Sequence, residues 1–203
     1  MLEANHYRQM TFDERVSEKF YDGYLDTLDS AHLIFTQGDL DEWADYRGKL
    51  HRLTLKPRGE GDTQPAFDIF NRYFERLEQR VTYVDELLKD PANFNFSVDE
   101  RILINRKDEL PPTNLDEAKK LWRERLRFEY LQEKLARTGA KKKTATASTT
   151  AFSTPVPATV TTNSTIEPAK KKTDAEEIAD LLSRRYHRNL RFFKEWDNED
   201  VMQ

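Results

Sequence analysis

Residues 65–88 read PAFDIFNRYFERLEQRVTYVDELL, and the spacing of their apolar side chains sets the fold class. Phe67, Phe70, Phe74, Leu77, Val81, Val84 and Leu88 follow one another at steps that alternate between three and four residues. That alternation aligns them in one seam along a helix, and such a seam requires an apolar partner. Pro65 suits the first turn, where its missing N–H would have no helical acceptor anyway. The seam has two readings: a core shared with other helices of this chain, or a groove for a helix of another protein.

Helical periodicity continues on both sides. Phe12, Val16, Phe20, Tyr24 and Leu28 recur every four residues, which reads as a narrow apolar stripe on a first helix. A second helix is expected over about Asp39 to Leu53, with Leu40, Trp43, Ala44, Arg47 and Leu50 inward and Asp39 capping its entry. Asp90-Pro91 stops the third, decisive helix. Asn93 to Val98 then alternates apolar and polar, and Ile102-Leu103-Ile104 does so less cleanly. This stretch reads as extended, either a short hairpin or an arm packed along the helices. After Pro111-Pro112, Asn114 and Glu117 stand at capping-box spacing before a fourth helix. Its face is Leu115, Ala118, Trp122, Leu126 and Tyr130, broadened by Leu121, Phe128, Leu131 and Leu135. A last helix is expected from Asp174, with Glu177 three residues on and Ile178, Leu182, Tyr186, Leu190 and Phe193 inward. The expected fold is therefore an all-α, bundle-like domain of about five main helices.

One stretch is foreign to this pattern. Thr138 to Thr173 reads TGAKKKTATASTTAFSTPVPATVTTNSTIEPAKKKT, rich in Thr, Lys and Pro. It offers too little apolar surface to offset the entropy of ordering it, so it reads as a disordered insertion between two antiparallel helices. The expected organisation is 1–137 as the first part of a helical domain, 138–173 as the insertion, and 174–203 as the completing helix and exit. The two KKK clusters read as solvated, and Asn163-Ser164-Thr165 carries no weight in a Thr-rich tract.

Composition narrows the function classes. The 203 residues carry 33 basic and 37 acidic side chains, a formal charge of −4 that argues against general nucleic-acid binding. Runs of apolar residues never exceed three, too short for a membrane-spanning helix. The opening MLEANHYRQM is polar and does not read as a signal peptide. Without cysteine there is no disulfide, thiolate metal site or cysteine nucleophile. The four histidines, His6, His32, His51 and His187, lack metal-ligand spacing and read as packing or surface imidazoles. Asp39-Leu40-Asp41-Glu42 resembles a calcium loop only superficially, and a helix start accounts for it better. Arg184, Arg185, Arg188 and Arg191 form a basic strip bracketed by acids, which reads as a paired or solvated face. No residue is assigned a catalytic, cofactor-binding or metal role.

Several stretches, in order, resemble the N-terminal helical domain of bacterial tail-specific (carboxyl-terminal processing) serine proteases. They are His6 to Gln9 with Phe12-Asp13, Phe20 to Asp29, His32 to Leu40, Asp68 to Tyr73, Asn95 to Glu100 and Leu121 to Arg123. Arg184 to Tyr186 followed by Asp197 to Gln203 is the most specific match. The resemblance implies a periplasmic or envelope protease that takes C-terminal tails in a PDZ domain and cleaves them with a lysine-activated serine, without a cofactor. It also implies that both parts lie beyond this helical domain, so that the dyad falls outside the chain and its leader has been removed. The implied partners are the chain's own PDZ and protease domains, proteins with exposed C-terminal tails, and an adaptor docked on the helices. The competing expectation is a free-standing helical scaffold or adaptor that uses the Phe67 to Leu88 seam as its partner groove.

Overall fold

The computed structural model describes residues 11–54, 61–147, 172–196 and 200–201, with the side chains of 140–147 excepted. Among the described residues six α-helices carry the fold: α1 (Glu14–Asp29), α2 (Gln37–Trp43), α3 (Leu50–Thr54), α4 (Gln64–Lys89), α5 (Leu115–Ala147) and α6 (Asp174–Lys194). Short 3-10 turns follow α2 (Ala44–Tyr46) and α4 (Pro91–Phe94), and no strand occurs among the described residues. The all-α expectation is met.

The spine is α4. Ile69, Phe70, Tyr73 and Leu77 pack into one apolar cluster with Tyr21, Ile34, Phe35 and Trp43. One turn further along the same helix, Val81 and Val84 belong to a second cluster with Leu126, Tyr130, Ile178 and Leu182. Helix α6 runs antiparallel to α4, its Ile178 to Tyr186 half in the second cluster and Phe193 against the first. Helices α5 and α6 are antiparallel too, tied by ion pairs Arg185–Glu133 (2.7 Å) and Arg137–Glu177. The partner that the seam requires is thus supplied by α5 and α6 of the same chain. Within that seam the buried positions are Phe70, Leu77, Val81 and Val84, while Phe74 is only half-buried and Tyr73 takes the inward place.

On two helices the observed faces differ from the sequence reading. On α1 the buried residues are Ser17, Tyr21, Leu28 and Asp29, whereas Phe20 is 63% exposed and stacks edge-on against Phe12. The helix is turned this way because Ser17 Oγ accepts the His51 N–H (2.9 Å), which draws Ser17 under α3. The expected single helix from Asp39 to Leu53 is broken into α2, a 3-10 turn and α3. Trp43 leaves helical geometry (φ −106°, ψ 1°) to seat its ring edge-on to Phe35 at 5.5 Å. Arg47, expected inward, instead lies outside and pairs with Asp22 (2.9 Å) and Glu18 (3.2 Å). Gly48 allows this connection to pass α1, since a Cβ there would meet Glu14 Oε1 at 3.1 Å.

Helix entries follow the capping expectation closely. Asn114 accepts from Glu117 N–H (3.0 Å) while Glu117 accepts from Thr113 N–H (2.8 Å) at the start of α5. At α6 the capping box is Thr173 with Glu176, one residue earlier than the expected Asp174 with Glu177. Residues 95–113 take the form of an arm rather than a hairpin. Helix α5 is helical as far as Ala147. The rest of the insertion, 148–171, lies outside the described residues.

Candidate functional site

The residues with chemical potential collect around the α1–α2 connection and the arm. After α1 the chain turns at His32, which adopts φ 49°, a conformation rare for a non-glycine residue. Asp29 makes this turn worthwhile. Its buried carboxylate accepts the N–H groups of Leu33 (2.9 Å), Ile34 (2.7 Å) and Phe35 (3.0 Å), satisfying three backbone donors that would otherwise be stranded in the core. His32 Nδ1 meets the Glu109 carbonyl, and Gln37 N–H donates to the Pro112 carbonyl (2.8 Å), so the arm's far end is fastened here.

Seven residues on, Thr36 caps α2 and Asp39 completes the box from inside. The Asp39 carboxylate is 1% exposed and is gripped by Arg76 (2.8 and 3.0 Å) and Arg72 (2.5 Å) from α4. Burial by itself would raise its pKa. The Arg76 hydrogen bonds, helped by Thr36 and Arg72, outweigh burial and hold the group down at about 2. Asp39 is therefore a structural anion at any ordinary pH, engaged by donors on all sides. The apparent calcium-loop segment Asp39 to Glu42 is accounted for by this clamp.

Beside it lies a half-open cleft of about 190 Å³, lined by Asp22, Leu25, Asp26, His32, Phe35 and Pro111 among others. Asp22 is occupied by Arg47 and Asp29 by its backbone donors, so the cleft's acidic rim is largely spent on internal contacts.

The arm's near end is fastened by Arg127 of α5. This guanidinium, in a residue only 7% exposed, donates to the Asn93 and Asn95 carbonyls and to Glu100 (2.8 Å), and lies 4.9 Å from the centre of the Phe96 ring. Phe94 stacks on Tyr130 at 4.1 Å beneath it. Nothing in the sequence pattern singles out Arg127, because an arginine flanking an apolar stripe reads as surface.

The other sequence candidates are placed as follows. His51 Nδ1 and Ser17 Oγ are 3.0 Å apart, but Ser17 is fully buried and its hydroxyl lies 3.0 Å from the Asp13 carbonyl, so it cannot reach a substrate. His187 Nε2 meets Asp85 (2.6 Å), which also accepts from Ser183 Oγ (2.8 Å), joining α6 to α4. His6 lies outside the described residues. Among the described residues no group of three or more His, Asp or Glu side chains is placed to hold a metal ion. In the basic strip, Arg185 pairs with Glu133 and Arg184 donates to the Asp180 carbonyl, while Arg188 and Arg191 face solvent. No described helix is long and apolar enough to cross a membrane.

Comparison with known proteins identifies relatives of this chain. A family model described as the tail specific protease N-terminal domain matches residues 1–203. A tail-specific protease from Haemophilus influenzae is 33% identical over 134 residues, which is 66% of this chain and 19% of the relative. The match thus spans about a fifth of that relative's length.

Proposed function

The chain belongs to the family of tail-specific protease N-terminal domains, and from that premise we propose that it is the non-catalytic helical wall of a larger serine endopeptidase of the periplasm or envelope. The observation that carries this reading is the match of the whole chain to the N-terminal family model, while its protease relative is matched over only 19% of its length. Proteolysis would then reside in PDZ and protease domains beyond Gln203, which take up C-terminal tails and cleave the proteins that bear them.

The physical contribution of this part is rigidity. The 26-residue α4 is about 39 Å long at the usual helical rise. It is packed along its length by two clusters, and its neighbours are locked to it by Asp39 and by the Asp85–His187 contact. A stiff wall of this size beside a protease core would restrict which unfolded or tagged chains enter, and its outer face would offer an adaptor a preformed surface.

Incubation of the purified chain with peptides bearing free C-terminal tails tests the assignment. It is expected to be helical and to release no product, whereas the full polypeptide should cleave them. Hydrolysis by this chain alone, abolished by a serine-directed reagent, would contradict it.

A further inference from the structure

The half-open cleft beside the α1–α2 connection is walled by four separate pieces of chain. Helix α1 supplies Asp22, Leu25 and Asp26, whose spacing of three and four places them on one helical face. The connection supplies His32 and Phe35, α2 supplies Leu40, and the far end of the arm supplies Pro111. These walls are pinned from behind. Asp29 holds three backbone N–H groups of the connection, Arg72 and Arg76 hold α2 through Asp39, and the Gln37 N–H holds the arm at the Pro112 carbonyl. A cleft fixed in this way is already formed when a ligand arrives, so little ordering cost falls on binding.

The chemistry of the lining is one-sided. Its floor, Leu25, Phe35, Leu40 and Pro111, is apolar. The polar side chains around it offer acceptors. His32 donates its Nδ1–H to the Glu109 carbonyl, which leaves Nε2 as an acceptor in the neutral ring. Asp22 is paired with Arg47, but both side chains stand about half in water, where such a pair is worth little. One turn along α1, the exposed Asp26 carboxylate forms no hydrogen bond or ion pair among the described residues. No lysine or arginine lines the cleft among the described residues. An apolar floor beneath a free carboxylate is complementary to a cation carried on a hydrocarbon stem.

We propose that this cleft receives one arginine side chain, presented by a flexible segment of a partner polypeptide. The assignment goes beyond the wall reading and stands whether or not a protease core follows. With a volume of about 190 Å³, against the ~300 Å³ at which small-molecule sites begin, the cleft holds one long side chain and leaves the ligand's backbone outside. Arginine suits it better than lysine, because a guanidinium is more weakly hydrated and lies flat on apolar and aromatic surface. A polypeptide suits it better than the free amino acid, which would bring its own α-carboxylate to a rim that carries Asp22 and Asp26.

Methyl-resolved NMR of the 203-residue chain tests this, with acetyl-Gly-Arg-Gly-amide as the probe. Saturable shifts are expected at the Leu25 and Leu40 methyl groups, with an affinity of about a millimolar for a single side chain. The citrulline counterpart has the same shape without the charge and should bind about tenfold more weakly at low salt. Asp26→Asn should weaken the arginine peptide about threefold. Because Asp26 is exposed, the Leu126 and Leu182 resonances should report an unchanged fold in that variant. Equal binding of the two peptides, an affinity indifferent to Asp26→Asn, or no shift at Leu25 and Leu40 by about 20 mM peptide overturns the proposal. Free arginine should bind more weakly than the capped peptide; if it binds as tightly, the polypeptide is the wrong occupant and the proposal falls.

Discussion

Leu126 and Asp39 are equally hidden, at 0% and 1% exposure, yet they hold their halves of the molecule by different chemistry. Around Leu126, helices α4, α5 and α6 meet through aliphatic and aromatic side chains at regular helical spacing. Around Asp39, short helices and a tight turn are fastened by carboxylates: Asp29 on three backbone N–H groups, Asp39 on Thr36 and two arginines. Long helices satisfy their own backbone, so their mutual packing can be wholly apolar. Broken chain cannot, and each turn that enters the core needs an acceptor or donor brought to it. The contrast teaches that irregular backbone at the α1–α2 connection is held in place by point contacts, whereas the three-helix half is held chiefly by area, with pairs such as Arg185–Glu133 and His187–Asp85 at its rim.

The largest effect is expected where area is lost. Leu126→Ala should lower the unfolding free energy in urea by about 4 kcal/mol, the combined cost of transfer and an unfilled cavity. A cost under about 1 kcal/mol would show a slack interface and erase the contrast. Asp39→Asn should cost about 3 kcal/mol at neutral pH, because it leaves Arg72 and Arg76 without their shared anion. If it cost no more than Asp41→Asn, on the exposed side of the same helix, the carboxylate would not be what fastens this half.

Acid should sharpen the comparison with a somewhat smaller effect. The folded pKa of Asp39 is about 2 against an ordinary 3.8. A carboxyl depressed on folding contributes stability that is complete above its unfolded pKa and is lost as pH falls through the folded one. About 2 kcal/mol should thus disappear between roughly pH 4 and pH 2, a slope that Asp39→Asn would flatten.

Legibility in the sequence divides along the same line. The seam of α4, the Ala118-Trp122-Leu126-Tyr130 face and the Ile178-Leu182-Tyr186 face were readable, because apolar packing between helices imposes a period on the sequence. The fasteners were not. Ser17, Asp29, Asp39 and Arg127 are buried for hydrogen bonds, and a period of hydrophobicity counts each as surface. That blindness turns α1 toward Phe20, whereas the one helix expected over Asp39 to Leu53 fails where Trp43 leaves helical geometry. The signal present was local: Thr36 three residues before Asp39 is a capping pattern, and it marks the start of α2 where the structure has it. The stretch was legible as extended but left open between a hairpin and an arm, and its anchoring by Arg127 depends on a contact across 32 residues with the Asn95 carbonyl, which no local pattern records.

The most direct measurement is residue-resolved amide exchange as the pH is lowered from 5 toward 2, corrected for intrinsic rates. The amide of Thr36, bonded to Asp39, and its neighbours in α2 should reach unprotected exchange while the amides of Leu126 and Leu182 remain protected. Loss of protection at the same pH in both places would contradict the account, since it would mean that the carboxylate-fastened half and the apolar half are not held by separate chemistry.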